Sequence, residues 1–278
     1  MTWIARLGSV LIAFLIGSLL RVRRAHVVQS MTIARIPEPE RTATRMYRSL
    51  ARGLLELLSM VLTPHRRLGV RLTDPQVRRW LSVPTGAVVA TSHTGNWDVV
   101  ACAVAELAPL TVVTKRLSVG WLDRLWQRLR AKRGVHLVEA RGAWGHCRAA
   151  LRRGELVAML VDQAPERSEG VLWTAFLGQM ASVDLAPALL AMRARVPLVA
   201  AFPCRTADGI LTIELGPVLL PPQRSCRVWP VQAMREVTQA LEAFVRRHPQ
   251  QWLWMHRRWK VWKGGQPADR RFSPEHEG

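Results

Sequence analysis

A histidine and an aspartate lie close together in the stretch TSHTGNWD, residues 91–98, directly after an apolar run of small and β-branched residues. His93 and Asp98 are five positions apart. On one continuous helix their side chains would point roughly 140° away from each other. Gly95 and Asn96 lie between them, and both tolerate turn conformations. With His93 in a loop and Asp98 in the first turn of the next helix, the two side chains can meet.

Such a pair is suited to general-base catalysis. A carboxylate that accepts a hydrogen bond from one imidazole nitrogen fixes the tautomer and leaves the other nitrogen basic. The nucleophile would be a hydroxyl group of the substrate, and amides of the helix that begins near Gly95 would stabilise the oxyanion. The spacing is equally compatible with Asp98 as an ordinary acid at a helix start and His93 as a structural loop residue.

Other polar residues follow predicted strands in the same way. Asp162 and Gln163 come after the apolar run 156–161, and Lys115 and Arg116 follow another such run. The two cations are suited to hold a phosphate or carboxylate of an acceptor, although a solvated loop pair is an alternative. The His and Cys residues show no spacing typical of metal ligands, so we expect neither a metal ion nor a cofactor.

The elements that must position these residues alternate along the chain. Apolar, β-branched runs predict strands, and most are separated by stretches of helical character; the strand runs are 87–91, 110–114, 135–139, 156–161, 197–202 and 210–215. This pattern predicts an α/β fold with a mainly parallel central sheet flanked by helices, in which the last two runs form an antiparallel hairpin. Ligands of open α/β sheets bind at the carboxyl ends of strands, where His93 and Asp162 both fall. The segment 163–182 is more apolar than a solvated loop should be, and it is interpreted as a covering loop, as one wall of an apolar groove or as a segment that dips into a bilayer.

The N-terminus is apolar enough to suggest a membrane anchor. Leu7–Leu20 carries no charge and is flanked by arginines. Fourteen helical residues span only about 21 Å of a hydrocarbon core of roughly 30 Å, and extension to Trp3 could just cross. We predict an uncleaved anchor with its basic flank in residues 1–24, one catalytic domain in 25–263 and a flexible polar tail in 264–278. A buried core helix is the alternative for the first segment.

The charge of the chain predicts an anionic partner. Its 40 basic and 20 acidic residues give a formal net charge of +20. An acidic carrier protein, an anionic membrane surface and nucleic acid would all fit. Tryptophans alternate with cations in 251–263, which suits lipid headgroups or nucleic-acid stacking. The sequence has no helix-turn-helix, zinc-finger or RNA-binding signature, so a membrane-tethered nucleic-acid-binding protein is the remote alternative.

The stretch HTGNWD resembles the H-x-x-x-x-D/E motif of glycerolipid acyltransferases, in the form found in the bacterial lipid A biosynthesis acyltransferase family. Supporting blocks occur in the family's order along almost the entire chain: Glu56 on an apolar helix, Asp162-Gln163, Phe176-Leu-Gly178, Pro187–Ala191 and Gln251–Lys260.

The resemblance implies transfer of a fatty acyl group from a thioester, usually on acyl carrier protein, to a hydroxyl of a lipid A precursor or related glycolipid. It places the reaction at the cytoplasmic face of the bacterial inner membrane. It also implies His93 as general base, Asp98 as its orienting partner and Asp162 with Gln163 at the acceptor pocket. We further expect the acceptor to contact the turn at Gly95 and Asn96 and the cations Lys115 and Arg116.

Two departures from the family pattern leave the acceptor open. Many members carry an arginine near the position of Gly145, and Arg141 or Arg148 could replace it here. The motif acid is Asp98, where many lipid A enzymes have glutamate. A lysophospholipid, a phosphatidylinositol mannoside-like glycolipid or an amino-acid lipid is therefore the alternative acceptor.

Overall fold

We describe the protein from a computed structural model. The structure describes residues 3–63, 68–81, 85–116, 120–167, 169–224 and 226–259. The predicted tail at 264–278 and the end of the tryptophan-rich segment lie outside the described residues.

The eight described strands form two sheets. Their bounds are β1 Ala87–Thr91, β2 Leu110–Thr114, β3 Val135–Glu139, β4 Leu156–Leu160, β5 Val171–Phe176, β6 Gln179–Asp184, β7 Leu198–Arg205 and β8 Leu211–Leu219. The larger sheet has the order β3-β2-β4-β1-β7-β8, with β8 as its one antiparallel strand. The predicted α/β class, parallel sheet and terminal hairpin β7–β8 are confirmed.

The smaller sheet is a hairpin of β5 and β6 within the segment interpreted above as a covering loop. Its turn is Leu177-Gly178, and both residues have positive φ. Four residues on one face of the hairpin belong to the hydrophobic core: Leu172, Phe176, Ala181 and Val183. On the opposite face Trp173 and Ser182 are also buried, whereas Ala175 and Met180 are exposed.

Helices cover both faces of the larger sheet. Their bounds are α1 Trp3–Phe14, α2 Arg24–Ile33, α3 Pro39–Leu62, α4 Pro75–Leu81, α5 Trp97–Ala105, α6 Gly120–Lys132, α7 Ala143–Arg152, α8 Ala186–Ala194 and α9 Trp229–Arg247. A π-helix, Leu15–Leu19, and a short 3-10 helix, Pro249–Gln251, complete them.

Successive residues of a strand point to opposite faces, so each core cluster takes alternate residues of β1. Val88 and Ala90 belong to the cluster that contains α7, α8 and α9. Ala87 belongs to the cluster that contains α5, with Val89 packed against it. This burial on both faces explains why β1 reads as a continuous apolar run.

The N-terminal segment differs from the predicted anchor. The helix α1 continues into the π-helix and packs against α3. The approach is close at Gly17, where an added Cβ would lie 2.6 Å from Cγ of Tyr47. Within the described chain, no helix combines the length and apolar character needed to cross a membrane.

Candidate active site

The register of the sheet brings His93 and Asp162 together. β1 and β4 are parallel neighbours in which Thr91 pairs with Leu160. The chain continues past both strands with a hydrogen bond of 2.9 Å from Val161 N to Thr91 O. His93 and Asp162 each lie two residues beyond the last paired positions, so they stand side by side at the carboxyl edge, as predicted for both residues.

The side chains of His93 and Asp162 are directly hydrogen-bonded. His93 Nδ1 lies 2.9 Å from Asp162 Oδ1. The backbone N–H of His93 donates to Oδ2 at 3.0 Å, and Nε1 of Trp252 donates to the same oxygen at 2.9 Å. The carboxylate is fully buried, whereas the imidazole keeps 14% of its side chain exposed. An ionised carboxylate only accepts, so it keeps a proton on Nδ1 and leaves Nε2 as the basic nitrogen.

Electrostatics favour the charged form of both partners. Burial raises the pKa of Asp162, but the charge of His93 and the hydrogen bonds from His93 and Trp252 outweigh it and hold the pKa well below its usual range. Burial lowers the pKa of His93, but the charge and hydrogen bond of Asp162 outweigh it and the pKa is raised. The pair is therefore built to stabilise an imidazolium ion.

The predicted partner, Asp98, lies elsewhere. It is buried in the first turn of α5, and its Oδ1 is 3.3 Å from Nη1 of Arg130 on α6. The neighbouring indole of Trp97 is in ring contact with His93, with centroids 4.8 Å apart. The carboxylate in hydrogen-bonding contact with the imidazole is thus that of Asp162, which corrects the prediction for Asp98. Asp98 lies in the first turn of α5, as predicted, but its carboxylate pairs with the buried Arg130 on α6 and not with His93.

Asp98 still acts on His93 through its charge. Burial raises the pKa of Asp98, and the charges of Arg130 and His93 offset this only in part. The charge of Asp98 also contributes to the raised pKa of His93, after that of Asp162. Asp98 therefore supports the imidazolium electrostatically.

The turn between them is shaped by Gly95 and Asn96. Gly95 has φ of +55°, and an added Cβ would lie 2.8 Å from Pro203 O, so a larger residue would be strained there. Asn96 caps α5, since its Oδ1 accepts a hydrogen bond from Val99 N at 3.4 Å. The structure gives both residues a role in shaping the loop, and their predicted contact with the acceptor stays a prediction.

Glu56 supports this turn from α3. Its Oε2 accepts hydrogen bonds from Asn96 Nδ2 at 2.9 Å and from Arg205 Nη2 at 2.6 Å. Arg52 Nε donates to its Oε1 at 3.2 Å. The Glu56 carboxylate thus ties α3 and β7 to the loop that carries His93.

The segment after α9 forms a second wall of the site. Leu253 N donates to His93 O at 3.0 Å, and Gly95 N donates to Gln251 O at 3.0 Å. Trp252 and Trp254 are buried, at 2% and 1% exposure. These two indole rings are therefore core residues that position the site, whereas Trp262 lies outside the described residues.

Gln163 connects His93 to a second histidine that the sequence did not single out. Its Nε2 lies 3.3 Å from His93 Nε2 and 3.0 Å from Nε2 of His256. Burial, followed by the charge of His93, lowers the pKa of His256 to about 4, so this ring is neutral near pH 7. The only signal in the sequence was the position of His256 within the tryptophan-rich block.

The predicted cations lie at the rim. Lys115 Nζ is 3.1 Å from Glu166 Oε1, and Arg116 Nη2 is 3.0 Å from Glu139 Oε2. Lys115 is half-exposed, and its charge acts on the pKa of His93. Lys115 therefore belongs to the surroundings of the site.

Neither arginine proposed near Gly145 is buried. Arg141 follows β3 at the carboxyl edge of the sheet, whereas Arg148 lies on an exposed side of α7. Arg141 lies at the same edge of the sheet as His93, but β2 and β4 separate its strand from β1, so the choice between the two arginines stays a prediction.

An apolar cavity of about 110 Å³ lies under the sheet on the side of α4, α5 and α6. It begins at the catalytic edge, where Thr91, Trp97 and Asp98 line it, and continues along the strands. Its deeper wall is almost wholly aliphatic and includes Val89, Ala101, Leu110, Ala158, Val199 and Leu215. Such a cavity is suited to hold a hydrocarbon chain. In the described part of the chain, no group of His, Cys, Asp and Glu residues is arranged to hold a metal ion.

The sequence model of one family, described as bacterial lipid A biosynthesis acyltransferase, matches residues 31–261. The match confirms the resemblance inferred from the motifs. No curated protein matches the chain. Among solved structures, the chain is similar to the crystal structure of the 1-acyl-sn-glycerophosphate (LPA) acyltransferase PlsC from Thermotoga maritima. That similarity has 10% sequence identity and a TM-score of 0.40, over 88% of this chain and 99% of that chain.

Proposed function

The chain belongs to the bacterial lipid A biosynthesis acyltransferase family, and on this premise we propose that it moves a fatty acyl group from a thioester to a hydroxyl of a lipid A precursor or related glycolipid. The observation that carries the mechanism is the hydrogen bond of 2.9 Å between His93 Nδ1 and the buried carboxylate of Asp162.

His93 acts as general base and then as general acid. The acceptor oxygen attacks the thioester carbonyl carbon, a C–O bond forms, and Nε2 takes the hydroxyl proton while the carbonyl electron pair moves to its oxygen. The C=O bond then re-forms, the C–S bond breaks, and the imidazolium returns the proton to the leaving thiolate. Asp162 stabilises the imidazolium in both steps, and general-base catalysis of this kind contributes about 100- to 10,000-fold.

The apolar cavity is the proposed site of the acyl chain. It adjoins Thr91 and Trp97, which flank His93 in the sequence, and it extends from there along the face of the sheet. A thioester whose hydrocarbon chain occupies this cavity has its carbonyl at the edge where His93 lies. The aliphatic wall supplies hydrophobic stabilisation to the chain.

The acceptor is proposed to lie at the exposed rim. Lys115 and Arg116 are exposed cations beside the site and are suited to a phosphate of a lipid A precursor. Their partners Glu166 and Glu139 are themselves exposed, so both ion pairs can be exchanged for a phosphate at little cost.

We place the protein at the cytoplasmic face of the bacterial inner membrane. Exposed apolar side chains are concentrated on α1, the π-helix and α3, among them Leu11, Phe14, Leu15, Leu19, Leu58 and Leu62. Such a surface is suited to lie in the interface of a bilayer. The net charge of +20 would steer the protein towards anionic lipids and towards acyl carrier protein, the proposed acidic donor.

The experiment is an acyl-transfer assay with purified protein, acylated carrier protein and a panel of acceptors that includes a lipid A precursor, a lysophospholipid and an amino-acid lipid. We expect acylation of the lipid A precursor, detected by mass spectrometry, and lower rates when acyl-CoA replaces the carrier protein. Acylation of a different acceptor would correct the substrate. Absence of transfer to every acceptor from either donor would contradict the proposal.

A further inference from the structure

Attack on a thioester creates a negative charge on the carbonyl oxygen, which a hydrogen-bond donor must stabilise. The sequence pointed to amides of the helix that begins near Gly95. In the structure, Gly95 N donates to Gln251 O at 3.0 Å, and Val99 N donates to Asn96 Oδ1 at 3.4 Å. These two amides, among those at the start of α5, already have acceptors within the protein.

We propose that the side-chain amide of Gln163 donates the hydrogen bond that stabilises the oxyanion, and that His256 is the residue that positions this amide. This inference rests on the acyl transfer proposed above. It assigns Gln163 a catalytic role that differs from the acceptor-binding role predicted from the sequence.

The distances place Gln163 at the reacting atoms. Its Nε2 is 3.3 Å from Nε2 of His93, the nitrogen that takes the hydroxyl proton. The attacking oxygen must lie within a hydrogen-bond length of that nitrogen, and the carbonyl oxygen is bonded to the carbon under attack. A donor that already contacts His93 Nε2 is therefore within reach of the oxyanion.

The tautomer of His93 determines which end of the amide faces the site, and His256 holds the amide from its other side. Nε2 of His256 lies 3.0 Å from Gln163 Nε2. If the amide were reversed, its oxygen would face the unprotonated Nε2 of His93, which cannot donate to it. The NH₂ group of Gln163 therefore faces both rings. One N–H points to Nε2 of His256 and the other to Nε2 of His93.

Binding of the acceptor changes the partner of that second N–H. Nε2 of His93 has one lone pair, so the acceptor hydroxyl that hydrogen-bonds to it displaces the N–H of Gln163 before the proton is transferred. The amide hydrogen is then available to the oxyanion when it forms. The hydrogen bond is stronger to the oxyanion than to the neutral carbonyl, so the stabilisation is directed at the transition state.

The surroundings of His256 keep its ring neutral, so that Nε2 can accept an N–H of Gln163. The charged and titratable groups that act on it are His93, Asp162, Arg23 and Lys115, and burial is the largest cause of its lowered pKa. Its backbone is held from the N-terminal side, because Arg23 Nη1 donates to Met255 O at 2.7 Å and His26 Nε2 lies 3.1 Å from His256 O. A neutral ring at a fixed position is what the orientation of Gln163 requires.

The first test is the kinetics of Gln163→Ala against the wild-type protein. Loss of one oxyanion donor costs about 100- to 1,000-fold in kcat, and we expect the KM of the thioester to stay within about threefold of the wild-type value. Gln163→Glu, which presents acceptors to the oxyanion, should be at least as slow. Gln179→Ala, at an exposed position of β6, is the matched control and should keep wild-type rates.

The second test is a double-mutant cycle that separates positioning by His256 from a general structural role. If His256 acts through Gln163, then His256→Ala lowers kcat in the wild-type background but has little further effect in Gln163→Ala, because the effects of residues that act as a unit do not add. His256→Gln, which retains an acceptor, should recover part of the activity. Thermal unfolding of each variant checks that the fold is intact.

Two results would overturn the inference while the proposed function stands. In the first, the wild-type protein transfers the acyl group and the kcat of a folded Gln163→Ala variant lies within threefold of the wild-type value. In the second, the losses from Gln163→Ala and His256→Ala multiply in the cycle. A wild-type protein with no acyl transfer to any acceptor would instead refute the proposed function, and this inference with it.

Discussion

Asp162 and Asp98 are both buried and both act on His93, yet their surroundings shift their pKa values in opposite directions. Asp162 lies at the edge of the sheet, where His93 and Trp252 donate hydrogen bonds to it, and its pKa is lowered. Asp98 lies between α5 and α6 beside Arg130, and its pKa is raised. Burial acts on both in the same direction, so the difference comes from hydrogen bonds and charges that stabilise the ionised form.

The comparison separates two tasks that the H-x-x-x-x-D motif combines. Asp162 is in contact with the base and belongs to the chemistry. Asp98 lines the apolar cavity with Arg130, so its region belongs to the proposed site of the acyl chain. Proximity to a histidine in sequence therefore does not identify its partner in the fold.

The largest effect is expected from His93→Ala, which removes the base that both regions serve. The rate of acyl transfer should fall by about 1,000-fold, within the range of general-base catalysis. The imidazole is partly exposed, so the far-UV circular dichroism should stay that of the wild type. A folded variant with near-normal turnover would show that His93 is not the base.

The next effect is expected from Asp162→Asn, which removes the charge that stabilises the imidazolium. We expect kcat to fall by about 100-fold, less than for loss of the base itself. The assay should use several pH values, so that a shifted profile is not mistaken for a loss of rate. A decrease in kcat of less than threefold at every pH would show that Asp162 is not the catalytic partner of His93.

A smaller effect on turnover is expected from Asp98→Asn, together with a clear loss of stability. Arg130 would stay buried without its partner, and removal of one member of a buried ion pair costs about 3 to 5 kcal/mol of unfolding free energy. At a temperature where the variant remains folded, kcat should fall by no more than about tenfold. A decrease in kcat as large as that of Asp162→Asn would show that the two carboxylates contribute equally to catalysis.

The smallest effect is expected from Ala158→Phe, which fills the cavity beside the region of Asp98. The added ring should slow transfer of long acyl chains several-fold while short chains react at nearly the wild-type rate, because only long chains reach that depth. Competition between donors of different chain length measures the ratio directly. An equal loss for all chain lengths would indicate a general disturbance of the fold instead of a filled acyl site.

The sequence predicted what depends on local pattern. The strands came from continuous apolar runs, and the position of His93 and Asp162 at one edge followed from the rule that parallel strands share their carboxyl ends. The hairpin of β5 and β6 was missed, because buried residues occur on both of its faces and the apolar residues therefore show no strict alternation.

What depends on the order of strands could not be read from the chain. Nothing in the spacing of residues shows that β4 lies next to β1, although that neighbourhood puts Asp162 against His93. The same holds for His256, which the segment after α9 brings to Gln163 across 93 positions of sequence. The direction in which Asp98 turns is decided by Arg130 on another helix, and no local signal reports it.

The central claim, that Asp162 is the partner of His93, is tested most directly by the pH dependence of kcat/KM in three proteins. A base must be unprotonated, so the rate falls as pH drops through the pKa of His93, which is raised above its ordinary value of 6.5. Removal of the Asp162 charge lowers that pKa. The acid limb should therefore lie above pH 6.5 in the wild type, move to lower pH in Asp162→Asn and move much less in Asp98→Asn. An acid limb that moves in Asp98→Asn and stays in place in Asp162→Asn would contradict the claim.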